Sequence, residues 1–132
     1  MGLDMYLTGS KYLADSVKDG RKMQEDGFKV KEVNLKLAYW RKHPNLHGFI
    51  IQQFADGVDD CSEIDLDKNN MLDIIKAIHE ERLPDTEGFF FGVSAGTPEE
   101  RAADTLIFQK AIEWLDLEEK GVWKSVTYRA SW

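Results

Sequence analysis

Three stretches of the chain alternate apolar and polar residues with the period of two that marks a half-buried strand. Leu3, Met5 and Leu7 alternate with Asp4, Tyr6 and Thr8, which predicts a first strand starting almost at residue 2. Val33, Leu35, Leu37 and Tyr39 alternate with Asn34, Lys36, Ala38 and Trp40. They lie in a run from about Phe28 to Trp40 whose inward parity changes near Lys31-Glu32. Either a bulge absorbs one residue there or the strand proper begins at Val33. Val122, Val126, Tyr128 and Ala130 alternate with Trp123, Thr127 and Arg129, predicting a closing strand beside the first. Two shorter candidates are Cys61 to Leu66 and the run Gly88-Phe89-Phe90-Phe91-Gly92. The latter is apolar on both faces, as a doubly covered strand would be.

Elsewhere the period lengthens to that of a helix. Pro44 suits a first helical position, because its missing N–H would have been unpaired there. After it, Leu46, Ile50, Ile51 and Phe54 share one face, and Gly57 closes the helix. Asp67 can cap a helix over about residues 68–82 with Met71, Ile74, Ile75 and Ile78 as its buried stripe. Thr97-Pro98-Glu99-Glu100 reads as N-cap, first helical proline and capping-box glutamate. That helix should run to about Lys120, stop at Gly121, and bury Ala103, Ile107, Phe108, Ala111, Ile112, Trp114 and Leu115. Within residues 10–27, Tyr12, Leu13 and Val17 fit a short helix. The sum is a single α+β domain over residues 1–132: a mostly antiparallel sheet of four or five strands, with about three helices packed mainly on one face.

Composition narrows the function. A chain with 42% hydrophobic and 31% charged residues suits a globular protein, and a formal net charge of -7 disfavours phosphate backbones and anionic lipid. An acidic protein can instead mimic a nucleic acid in a basic groove. The single cysteine, Cys61, allows no intramolecular disulfide and no Cys-rich zinc site. The first residues lack the basic and apolar regions of a signal peptide, and no run approaches a membrane span, so a cytoplasmic location is expected.

Candidate chemistry concentrates in the nine residues from Tyr39 to His47, where the best strand meets a helix. His47 falls on the apolar arc of that helix and is either a general base or ligand, or a buried histidine with both nitrogens hydrogen-bonded. His43 stands four residues earlier, a metal-pair spacing, but without further ligands no metal site is expected. Asp104 points into the apolar arc of the last helix, where a carboxylate needs a cation or several donors. Arg41 and Arg129 are the expected partners. Asp104 is then either a buried ion pair or an acid–base group. Asp65 to Asn70 opens like a calcium loop, but Asn70 stands where glycine belongs and Lys76 where the bidentate glutamate belongs, so helix capping explains it. Acids flank Cys61 and disfavour its thiolate, which argues against a nucleophile.

The opening MGLDMYL, the YWRK before a His-containing helix, the Cys after an acidic turn, GFFFG and a closing Tyr-x-x-Ser-Trp together give a likeness. On them the chain resembles a family of small, acidic, uncharacterised proteins encoded by phages and prophages. It departs from that family in the link His43-Pro44-Asn45-Leu46, and in His47-Gly48-Phe49 where relatives carry His-x-Trp. The resemblance implies an accessory protein acting in the cytoplasm of an infected or lysogenic cell, and brings no activity with it. The expected function is a non-enzymatic binding module for a host protein or a nucleotide-like small molecule, with no cofactor. Its expected surface combines Tyr39, Trp40, Arg41, His47, Arg129 and Trp132. The alternatives are a small hydrolytic enzyme using His47 and Asp104, and a structural protein with an aromatic homodimer interface.

Overall fold

The computed structural model describes residues 2–14, 24–88 and 91–132. Three ten-residue strands dominate: β1 (Asp4–Leu13), β4 (Glu32–Arg41) and β6 (Val122–Ser131). Two-residue β5 (Ile64–Asp65) completes an antiparallel sheet of order β4-β1-β6-β5, and β2 (Gln24–Glu25) pairs with β3 (Phe28–Lys29) in a separate hairpin. The helices are α1 (Pro44–Phe54), α2 (Lys68–His79) and α3 (Pro98–Asp116). The architecture is α+β, as the pattern of periods predicts. β1 is central, hydrogen-bonded to β4 on one side and β6 on the other. Its inward residues Met5 and Leu7, and Leu3 just before it, are completely buried under the helices.

Opposed residues of neighbouring strands project from the same face. Tyr39, Tyr6 and Arg129 therefore form one row on the face away from the helices, and Lys36, Thr8 and Thr127 form another. On the covered face, Trp40, Met5 and Ala130 stand in register. The polar face stays wet, and the apolar face makes the core with α1, α2 and α3. Gly9 lies on that covered face, where a Cβ would meet the Trp114 ring at 2.9 Å. Its missing side chain lets α3 lie close to the sheet.

Several boundaries differ from expectation for identifiable reasons. The predicted strand from Phe28 is two elements, because Phe28 and Lys29 pair locally with β2. Of the two alternatives, the strand proper begins close to Val33, at Glu32; a separate bulge lies further on, where the β1–β4 register slips between Leu7 and Thr8 and leaves Leu37 as the extra residue. Ala38 and Trp40 thereby turn inward while Tyr39 turns outward at 41% exposure. Tyr12 and Leu13 belong to β1 and not to a helix, and Val17 lies outside the described residues. Phe91 is buried but in no strand, and Phe89 and Phe90 also lie outside the described residues.

The caps follow local chemistry more faithfully. Gly57, at φ 76°, donates its amide to the Ile51 carbonyl and closes the end of α1. Asp67 and Asn70 form a reciprocal capping box on α2. Thr97 accepts the Glu100 amide at the start of α3. Glu100 itself reaches past the cap to the amides of Ala95 and Gly96. α3 ends before Lys120, at Asp116, where Lys124 from β6 donates to the carbonyls of Trp114 and Leu117.

The loop that follows α2 passes the start of α1 at Thr86, whose amide donates to Asn45 Oδ1. Thr86 lies so close to Gly48 that an added Cβ would sit 1.9 Å from Thr86 Oγ1 and 2.8 Å from Thr86 Cβ. Gly48→Ala must therefore lift this loop, and it should cost about 1–3 kcal/mol in urea unfolding. Adding Thr86→Ala, which removes the closest atom, should restore part of that loss.

Candidate functional site

The turn from β4 into α1 sets the geometry. Lys42 takes a left-handed conformation, φ 55°, and its amide donates to the Leu3 carbonyl at 2.8 Å. This reversal points His43 inward, to 4% exposure, and starts α1 at Pro44. His43 occupies the N-cap position but makes no side-chain cap. Ser94 substitutes from the crossing loop, its Oγ accepting the Asn45 amide at 3.1 Å. Asn45 Oδ1 in turn accepts the Thr86 amide at 3.0 Å. The loop is thus stapled over the helix start at two points.

From here a buried relay runs into α3. His43 Nδ1 lies 2.7 Å from Ser94 Oγ, and His43 Nε2 lies 2.7 Å from Asp104 Oδ2. The indole N–H of Trp40 donates to Asp104 Oδ1 at 2.9 Å. One donor assignment satisfies every group: Trp40 and His43 Nε2–H donate to the carboxylate, Ser94 O–H donates to His43 Nδ1, and the Asn45 amide donates to Ser94. Trp40 also stacks on Phe108 of α3, with ring centroids 5.8 Å apart. Glu100 adds a second negative charge 3.7 Å from His43 Nε2.

One helical turn along α1, His47 anchors a second relay of the same form. Tyr128 O–H donates to His47 Nδ1 at 2.6 Å, His47 Nε2–H donates to Asp59 Oδ2 at 2.9 Å, and the Trp132 indole donates to Asp59 Oδ1 at 3.2 Å. Phe91 closes over it, edge-on to the His47 ring at 5.5 Å and 6.0 Å from the Trp132 ring. Burial, and after it the charge of Asp59, pushes the Tyr128 phenol above the ordinary tyrosine range. It therefore stays protonated and acts as a donor.

This second relay forms the back of a cavity of about 440 Å³ between the end of α1, the following loop and β5. Ile51, Phe54 and Ile64 give it an apolar floor, and Asp59, Asp60, Glu63 and Asp65 ring it with carboxylates. Among the described residues, no lysine or arginine lines it. Ser62 hydrogen-bonds to Asp60 and holds its carboxyl below the usual range, so this oxygen pair stays ionised. Cys61, at φ 62° and partly exposed, also lines the wall.

These contacts rearrange the residues singled out from sequence. His47 and Asp104 are both buried, at 1% and 4%, but belong to separate relays and do not converge. Asp104 pairs with His43 and Trp40 in place of Arg41 or Arg129, both of which are exposed. The six-residue recognition surface also divides. Trp40 and His47 are core, Tyr39 and Arg129 lie on the open sheet face, and Trp132 is half exposed beside Phe91. The bulge at Leu37 separates Tyr39 from Trp40, and the turn at Lys42 brings in His43. Ser94, Asp59 and Tyr128 were not singled out from sequence. Each stands more than ten residues from its histidine, in an unremarkable local pattern.

His43, Glu100 and Asp104 bring three possible metal-ligand atoms within 4.8 Å of one another. Their donors are already engaged: His43 and Asp104 share a hydrogen bond, and the two Glu100 oxygens accept the amides of Ala95 and Gly96. Comparisons with known protein families, curated proteins and solved structures returned no match.

Because the Tyr128 phenol is held above its unfolded value, the folded chain binds that proton more tightly than the unfolded one. Its contribution is complete below about pH 10, the ordinary tyrosine value, and is lost as pH rises beyond it. Tyr128→Phe leaves His47 Nδ1 without its donor and should cost about 1–3 kcal/mol at neutral pH. In urea unfolding at stepped pH, the gap between variant and parent should narrow above about pH 10.

Proposed function

We propose that this chain is a small binding protein whose cavity behind His47 takes a compact organic cation, an amine or guanidinium on a short apolar stem. The observation that carries the reading is the cavity's lining: an apolar floor ringed by four carboxylates and, among the described residues, no lysine or arginine. A cation there gains Coulomb energy from several sides while its stem displaces water from Ile51, Phe54 and Ile64. The same ring repels phosphate, which weighs against a nucleotide-like ligand. The cation can be a free metabolite or a lysine or arginine side chain of a host protein, since the chemistry is shared.

The relay supports binding more than bond-making at this position. Both His47 nitrogens are engaged and the Tyr128 phenol is held protonated, so neither is a ready base. They give the back wall a fixed shape and hold Asp59 toward the cavity. An accessory role in the cytoplasm of a phage-carrying cell, which the motif resemblance suggests, is compatible with such a protein, as is the lone thiol of Cys61.

Titration of labelled protein with butylamine, agmatine and an Arg-containing peptide, against butyrate and adenosine monophosphate, tests this by amide chemical-shift changes. The cations should move signals of residues 55–65 and Tyr128, and the anions should not. Glu63→Gln with Asp65→Asn should weaken cation affinity about tenfold, the size of a lost charged contact. Binding of the nucleotide at these residues, or cation shifts spread evenly over the surface, would overturn the proposal.

A further inference from the structure

We propose that Ser94 is a nucleophile, activated by His43 and Asp104, for transfer of an acyl group from a carboxylic ester or thioester to water. This is separate from cation binding behind His47 and stands on different residues. Three features place the serine in a reactive setting. Its Oγ lies 2.7 Å from His43 Nδ1, the tautomer of which is dictated from the far side by Asp104 at 2.7 Å. Both base and carboxylate are 4% exposed, so their interaction is screened little by water, whereas Ser94 is only half buried and reachable. The Trp40 indole, fixed by stacking on Phe108, holds the second carboxylate oxygen. The nucleophile–base and base–carboxylate distances are those such chemistry requires.

The steps balance within these residues. Ser94 Oγ attacks the acyl carbon as its proton passes to His43 Nδ1, and the imidazolium so formed is stabilised by Asp104 and by Glu100 at 3.7 Å. The tetrahedral intermediate collapses, breaking the bond to the leaving alkoxide or thiolate, which takes the proton from His43. Water then attacks the acyl-serine, gives a proton to His43, and releases the acid as that proton returns to Ser94 Oγ. The net change is ester plus water to acid plus alcohol, with nothing oxidised or reduced. The Asn45 amide, donating to Ser94 Oγ at 3.1 Å, holds the serine against the first turn of α1. Ser94 and His43 are the catalytic residues, and Asp104 and Trp40 are positioning residues.

The full chain should be incubated with a fluorophosphonate and, separately, with p-nitrophenyl acetate. We expect a single phosphonyl adduct, mapped to Ser94 by tandem mass spectrometry, and a burst of p-nitrophenol approaching one equivalent. Ser94→Ala should abolish both. His43→Gln should slow labelling at least a hundredfold, the usual share of a general base. Because replacing a buried histidine can unfold the chain, Trp40→Phe provides a milder test. It should lower the acylation rate constant about tenfold while leaving the half-saturating ester concentration unchanged, a split that mere loosening of the fold would not give. No adduct on folded parent protein, an adduct elsewhere, or Ser94 labelling that is indifferent to His43 and Trp40 would overturn the proposal and leave Ser94 as a staple for its loop.

Discussion

The Asp104 carboxylate, buried where α3 meets the sheet, constrains most of the surrounding structure. Taking a carboxylate out of water costs several kcal/mol unless each oxygen finds a donor. Here the donors come from two different places: the Trp40 indole at the end of β4 and the His43 imidazole at the turn that follows. Meeting that requirement needs Trp40 to face inward, which the bulge at Leu37 achieves, and needs the chain to reverse at Lys42 so that His43 follows it in. His43 then extends the demand to Ser94, which caps α1 and pins the crossing loop. One buried charge thereby ties strand, turn, two helices and a loop into a single arrangement.

The two relays share a plan, indole to carboxylate to imidazole to hydroxyl, and sit one helical turn apart on α1. Their ends differ in a way that separates their uses. The first ends in an aliphatic hydroxyl that is half buried in a loop, where proton loss to a neighbouring imidazole can accompany attack. The second ends in a phenol deep in the core, whose ionisation is opposed by burial and by Asp59. A donor that cannot let go of its proton shapes a wall, and a cavity ringed with carboxylates is the result on its outer side. The net charge of -7 thus has a local focus as well as a general effect on partners.

The open face of the sheet has a different character. Tyr6, Tyr39 and Arg129 share a row there, and the Tyr39 hydroxyl donates to Asp4 at 2.5 Å, which together with desolvation raises its pKa. The aromatic and basic residues expected to act together are therefore distributed among three environments: this polar face, the core, and the patch where Trp132 meets Phe91. Aromatic content near a strand–helix seam does not by itself make one surface, because adjacent strand residues point to opposite sides.

The three long strands and the three helices, the pairing of the closing strand with the first, and the caps at Asp67, Thr97 and Gly57 were legible from the chain alone, whereas the end of β1 and the segment at Phe91 were not. Period and capping are local properties, encoded within a few residues. The inward direction of Asp104 was legible too, since its angle on the helix follows from its neighbours. Its partners were not. Whether Asp104 meets an arginine or a histidine depends on a one-residue bulge at Leu37 and a left-handed turn at Lys42, a residue with no special preference for that conformation. Likewise, Ser94, Asp59 and Tyr128 join their histidines only through packing of segments far apart in sequence. The sequence by itself determined where the long strands and the helices form and most of their apolar faces, because backbone sterics and burial act residue by residue. Only the tertiary structure decided which polar groups share a proton, because that depends on contacts that no local pattern encodes.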